Sequence, residues 1–224
     1  MKNYYSEKLS ADNLRRVYAC APPRVQQYLR AEIDFVLEHI SEGDEVLELG
    51  CGYGRALEPV AQKAGFVCGI DTSLDSLRLA AEKFRDIGHV RLIHGDAATM
   101  GLADQQFDLV FCIQNGIAAL DASPLELLTE SIRVTKKGGT VLFSSYASRF
   151  WPDRLDWFLT QSELGLLGEL DPDKTAEGVI VCKDGFTAGT FTQLNFIRLM
   201  SHFSYPFQIR EVDRSSLFCV IKLV

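Results

Sequence analysis

The sequence predicts an α/β domain built on a doubly wound parallel sheet, and three observations carry that reading. Short apolar runs alternate with segments of helical period between residues 43 and 147. Alternate glycines, Gly50, Gly52 and Gly54, follow directly on the first apolar run, Glu45-Val-Leu-Glu-Leu49. At the far end, two further apolar runs are joined only by Asp213-Arg-Ser-Ser216, too short for a parallel crossover, so those two strands are antiparallel.

Composition bounds the answer. The chain has 224 residues, of which 47% are hydrophobic, enough for one domain with a sizeable core. A net charge of -7 argues against a dedicated nucleic-acid binder, which needs a basic face. No apolar run is long enough for a membrane span, and Met1 to Ser10 lacks the apolar stretch of a signal peptide. The six cysteines are scattered without metal-ligand spacing, so a cytoplasmic protein with reduced thiols and no metal site is expected.

Residues 1–42 read as N-terminal helices. Val25, Leu29, Ile33, Val36, Leu37 and Ile40 keep a helical period up to Gly43. Tyr4, Tyr5 and Tyr18 suit either a lid over a ligand or packing against the sheet. After the glycines, Leu57, Val60, Ala61 and Ala64 form a short helix, and Phe66–Ile70 a second strand ending at Asp71. Thr72-x-x-Asp75 starts the next helix. Val90–Ile93 and Phe107–Cys112 are the third and fourth strands. Ser123, Pro124 and Glu126 compose a capping box, while Lys136-Lys137 and Gly138-Gly139 carry the stop signals before a fifth strand, Thr140–Ser144. The alternation breaks over residues 148–203. There Asp184-Gly185 predicts a hairpin within 178–191, and a helix is expected over Thr192–His202. Phe207–Val212 and Leu217–Val224, within residues 204–224, form the closing hairpin. The whole is expected to be one domain.

The glycine motif decides the cofactor class. A dinucleotide fingerprint, Gly-x-Gly-x-x-Gly, would place its third glycine where Arg55 stands. Glu48, two residues before Gly50, is also a poor neighbour for a pyrophosphate. Acidic-x-Gly-x-Gly-x-Gly, followed by Asp71 at the end of the second strand and Asp96 after the third, resembles the class I S-adenosylmethionine-dependent methyltransferases. Each feature alone is weak, and a glycine turn without a ligand is the competing reading of the triplet.

The resemblance implies a Rossmann-like seven-stranded sheet in the order 3-2-1-4-5-7-6, its last strand antiparallel. It also implies S-adenosylmethionine as cofactor, bound by Glu48, Gly50, Cys51, Gly52, Gly54, Arg55, Asp71, Thr72, Asp96, Ala97, Cys112 and Ile113. Gly50, Gly52 and Gly54 would admit the methionine moiety, with Glu48 orienting its amino group. Arg55 would meet its carboxylate or remain solvated. Asp71 would accept from both ribose hydroxyls, since a carboxylate offers two acceptor oxygens. Asp96 and Ala97 would meet the adenine, with Met100 and Leu102 as apolar surface. Cys112, Ile113 and Gln114 would line the route to the acceptor.

The reaction implied is methyl transfer to a small molecule. A general base is not assigned: His94, Tyr4, Tyr5, Asn115, Tyr146 and His202 are candidates, none compelling. Phe150, Trp151, Trp157 and Phe158 occupy the substrate-cover region and suit an apolar pocket, core packing or a dimer contact. No Asp/Asn-Pro-Pro-aromatic motif follows the fourth strand, which sets aside the amino-methylating nucleic-acid enzymes, and the cysteine placement does not suggest arsenic chemistry. Two alternatives stay open, an NAD(P)-dependent oxidoreductase and a catalytically silent S-adenosylmethionine-binding protein. A monomer or homodimer is expected.

Overall fold

The computed structural model describes residues 11–120 and 122–224. Tyr4 and Tyr5 lie outside them. Seven strands form one sheet in the order β3-β2-β1-β4-β5-β9-β8, and β6 and β7 make a separate two-stranded ribbon. The strands are β1 (Glu45–Leu49), β2 (Phe66–Asp71), β3 (Val90–His94), β4 (Phe107–Cys112), β5 (Thr135–Tyr146), β6 (Ile180–Val181), β7 (Thr187–Ala188), β8 (Phe207–Val212) and β9 (Ser216–Lys222). β1 to β5 are parallel, whereas β9 enters antiparallel between β5 and β8. With the ribbon set apart, this is the predicted order. Asp213 and Arg214 both have positive φ, the geometry of a tight turn matched to strand twist.

Why the sheet is buried on both faces follows from alternation along each strand. In β4, Leu109 and Phe111 point into one apolar cluster with Phe35, Leu57 and Val60. Val110 and Cys112 point into the other, with Leu127, Leu128 and Phe196. A third cluster joins Val17, Val25, Tyr28 and Leu29 of the N-terminal helices to Phe150, Trp157 and Phe158. The helix Pro23–Leu37 is pinned to the β8–β9 turn, Arg24 donating to the Asp213 carboxylate at 2.6 Å and Gln27 to its other oxygen at 2.6 Å.

Several boundaries differ from the sequence reading. The helix Pro124–Val134 stops before Lys136, and β5 begins at Thr135, because Lys136 is drawn to Glu45 and Asp108 at 2.8 and 2.9 Å. Gly138 and Gly139 therefore lie within the strand. Ser123 makes no side-chain cap; Pro124 fixes the first turn instead. A capping box does form at Thr192 and Asn195, starting the helix Gln193–Met200. Ser73, rather than Thr72, caps the helix Leu74–Lys83, since Asp71 takes the Ser73 N–H at 2.7 Å and turns the chain there.

Gly54 serves packing. Its φ is +79°, and a Cβ there would sit 2.4 Å from the Phe84 ring. Gly54→Ala is expected to lose about 1–3 kcal/mol of stability, read as a lowered midpoint in thermal or urea unfolding; an unchanged midpoint would contradict this packing account.

Candidate active site

The site is built where the parallel strands end. The loop after β1 is fastened onto the end of β2 by successive N–H groups. Gly50 and Cys51 donate to the Ile70 carbonyl at 2.8 and 3.1 Å, and Gly52 donates to the Asp71 carboxylate at 2.8 Å. Gly50 and Gly52 hold φ of 73° and 54°, conformations open to glycine. The backbone thus curls around a cavity of about 350 Å³, a volume suited to a small-molecule ligand.

Of the predicted residues, Glu48, Gly50, Cys51, Gly52 and Arg55 line that cavity from the glycine loop. Asp71 and Thr72 line it from the end of β2, Asp96 and Ala97 from the end of β3, and Ile113 from the end of β4. Gly54 and Cys112 do not. Gly54 faces Phe84, and Cys112 is fully buried, where burial pushes its thiol pKa up and leaves it no nucleophile. Met100 is packed in the core with Leu102 against it, and neither lines the cavity.

Asp71 does two jobs at once. One oxygen accepts from Gly52 and the other from Ser73, which fixes the carboxylate while leaving each oxygen a further lone pair. Burial raises its pKa, and the two backbone donors hold that rise back. Asp96 is exposed, and one of its oxygens accepts from the Ala98 N–H at 2.8 Å, shaping the loop after β3.

Glu48 and Arg55 give the cavity its chemical character. Glu48 is 5% exposed, and its Oε2 has no hydrogen-bond partner among the described residues. Burial raises its pKa well above the ordinary carboxylate range, the Arg55 guanidinium opposing and Asp71 reinforcing the rise. Arg55 lies over the Tyr18 ring at 4.8 Å, and its buried Nη2 is likewise unpartnered. No ion pair joins the two. An acceptor and a donor, both desolvated and both unsatisfied, thus share one cavity. A ligand carrying an ammonium and a carboxylate would meet both needs.

Tyr18 is the main lining residue that the sequence reading did not resolve. Its phenol donates to Gln114 Oε1, its ring lies 6.1 Å from that of Tyr53, and burial raises its pKa. The cavity also takes Leu14 and Leu120, so helices on either side wall the loop. Among the base candidates, His94 is exposed and contacts the Thr72 carbonyl at 3.1 Å, and His202 is exposed beyond the Gln193–Met200 helix. Tyr146 stacks in the third cluster, and Asn115 spends its amide on Gly189 and Ser145. None of these four lines the cavity. The cover aromatics Phe150, Trp157 and Phe158 are buried, so core packing is the reading that holds for them. Arg154, 1% exposed, lies over the Phe158 ring at 5.4 Å and donates to Thr190 and to the Gly178, Ala188 and Gly189 carbonyls.

A parallel sheet closed by an antiparallel hairpin, with a glycine-lined cavity over its strand ends, defines a Rossmann-like cofactor-binding protein. Comparison with known proteins narrows the class. The methyltransferase-domain family profile matches residues 46–139. The malonyl-[acyl-carrier protein] O-methyltransferase of Marinomonas sp. (strain MWYL1) is 33% identical over 156 residues, 65% of this chain and 57% of that protein. The arsenite methyltransferase of Aquipseudomonas alcaligenes is 29% identical over 184 residues, 69% of this chain and 52% of that protein. The crystal structure of the PH0226 protein from Pyrococcus horikoshii OT3 covers 100% of both chains with a TM-score of 0.66 at 20% identity, a likeness of fold. Residues 46–139 match the methyltransferase-domain family, and the chain is similar to named methyltransferases over that core. It spans about half the length of the curated relatives it matches. The comparisons give no support to the oxidoreductase alternative.

The raised pKa of Glu48 has a measurable sign. The fold favours the neutral carboxyl, so this group's contribution to ligand-free stability is full below the ordinary carboxylate pKa and fades as pH rises through the raised one. Glu48→Gln is expected to melt a few degrees above the native chain at pH 8, with the gap closing toward pH 5. Scanning fluorimetry across that range checks it, and a variant that melts lower at pH 8 refutes it.

Proposed function

We propose that this chain transfers the methyl group of S-adenosylmethionine to a small-molecule acceptor. The carrying observation is the pair of buried, unsatisfied atoms, Glu48 Oε2 and Arg55 Nη2, in one cavity. Glu48 would receive the ammonium, and Arg55 the carboxylate, of the methionine moiety. The free lone pairs of Asp71 are available to ribose hydroxyls, and Asp96 and Ala97 to the adenine, while Ile113 lines the route to the acceptor. Gly50 and Gly52 let the ligand approach the main chain, where a Cβ would also crowd Leu120 and Leu14.

The cofactor brings a methyl group already activated by a sulfonium; the protein's part is proximity, alignment and exclusion of water. Tyr18 and Leu14 cover the loop, and Gln114 and Tyr18 present polar groups at the end of β4 where an acceptor would arrive. That relatives act on a malonyl-carrier conjugate and on arsenite supports a small acceptor without identifying it.

Calorimetry tests the reading. S-adenosylmethionine is expected to bind with a dissociation constant in the micromolar range, and NADH not to bind. Asp71→Ala should weaken S-adenosylmethionine at least about tenfold, since it loses the ribose acceptors and the Gly52 tether together. Absence of S-adenosylmethionine binding to the native chain would overturn the proposal. Binding without methylation across a broad acceptor panel would convert it to a silent binding protein.

A further inference from the structure

Glu32 is a fully buried carboxylate that the functional reading above does not use. It stands on the sheet-facing side of the Pro23–Leu37 helix and does not line the cavity. Its Oε2 accepts from the Gln114 backbone N–H at 2.8 Å, and its Oε1 accepts from the Ser216 hydroxyl at 2.8 Å. One carboxylate thus ties the residue beyond the end of β4 to the start of β9.

What it holds is unusual. Gln114 and Asn115 are consecutive non-glycine residues with φ of 57° and 60°. The left-handed region disfavours a side chain, and two such residues in a row persist only where the surroundings over-determine them. Here they do. Asn115 donates from Nδ2 to the Gly189 carbonyl at 3.0 Å and accepts at Oδ1 from Ser145 at 2.7 Å. Ser145 accepts in turn from the Phe191 N–H at 2.9 Å. The Gln114 N–H belongs to Glu32, and the turn so fixed places the Gln114 side chain in the cavity, bonded to Tyr18.

We infer that Glu32 is a positioning residue for the cofactor site. It touches neither ligand nor reacting atoms; it sets the left-handed turn after β4 and so places Ile113 and Gln114 on the cavity wall. The inference rests on the methyltransferase reading only for the ligand used to detect it.

Three variants separate positioning from general stability. Glu32→Ala removes both bonds. Ser216→Ala removes only the β9 bond and leaves the Gln114 N–H engaged. Glu32→Gln keeps a carbonyl oxygen for that N–H and an amide for Ser216. S-adenosylhomocysteine affinity, measured by calorimetry on the folded full chain, is expected to fall about tenfold or more in Glu32→Ala. It should stay within about threefold of native in Ser216→Ala and Glu32→Gln. Hydrogen exchange of the peptide covering residues 112–117, in ligand-free protein, should accelerate in Glu32→Ala alone. Equal affinity loss in Ser216→Ala and Glu32→Ala, or native affinity in Glu32→Ala, overturns the inference. If Glu32→Ala does not fold, a loss of affinity in Glu32→Gln no greater than in Ser216→Ala supports it, and a greater loss overturns it. If the native chain does not bind S-adenosylhomocysteine, the methyltransferase reading fails separately. The exchange pattern then decides for Glu32: acceleration confined to Glu32→Ala upholds its hold on the turn, and its absence refutes it.

Discussion

The structure of this site depends on one fastening, the attachment of the loop after β1 to the end of β2. Three consecutive N–H groups reach across: those of Gly50 and Cys51 to the Ile70 carbonyl, and that of Gly52 to the Asp71 carboxylate. Without them the left-handed glycines would be free to sample many conformations, and nothing would orient the residues on either side. With them, Glu48 on the last turn of the strand and Arg55 beyond the loop are held in one cavity. Asp71 extends the fastening to the next helix through the Ser73 N–H. A single short side chain therefore sets a loop, a helix start and a cavity-facing carboxylate, which is why the type of residue at that position matters more than its exposure.

The fastening produces tension between stability and binding. Burying Glu48 and part of Arg55 without pairing them leaves two polar atoms short of partners, each at a penalty of about 1–3 kcal/mol in a folded chain. A direct ion pair would relieve that penalty and close the cavity to a zwitterionic ligand. Holding the two apart keeps the ligand-free protein less stable than it could be, and a ligand with an ammonium and a carboxylate would supply both missing partners. This is preorganisation of the kind that makes binding sites locally unfavourable in the absence of ligand.

The sequence made the scaffold legible because the scaffold is written in local signals. Apolar runs in β1, β2 and β4 marked buried strands, the four-residue connection Asp213–Ser216 forced an antiparallel pair, and glycine spacing marked the loop. The boundaries at Ser73 and Thr135 differ because a carboxylate overrides the capping motif, Asp71 two residues upstream in one case and the distant Asp108 and Glu45 in the other. The site was legible where strand ends carry it and opaque where it depends on helices arriving from elsewhere. Tyr18 reaches the cavity only through the packing of its helix against Trp157 and the glycine loop. Glu32 falls in the stripe Val25, Leu29, Val36, one helical turn after Tyr28, where a charge is out of place on a buried face.

Much of the core's polarity gathers at one edge, although Ser131, Thr135 and Thr140 are buried at the opposite end, by the start of β5. Glu32, Glu48, Ser73, Asn115, Ser144, Ser145 and Ser216 are all buried, and all lie at or beside the edge of the sheet where the parallel strands end. The middle of the sheet, by contrast, is filled by Leu47, Val67, Val110 and Leu142. Desolvated dipoles and carboxylates interact strongly and relax little in such surroundings. A site for a charged, flexible ligand needs both properties, since each rotor frozen in advance is one the ligand does not have to freeze. Arg154 applies the same logic to the covering ribbon, donating to the Ala188 and Gly189 carbonyls, the second of which also accepts from Asn115. The apolar body of the sheet fixes where this edge is, and the buried polar groups fix its shape. The turn after β4, held by Glu32 from below and by Asn115 from above, is where the two contributions meet.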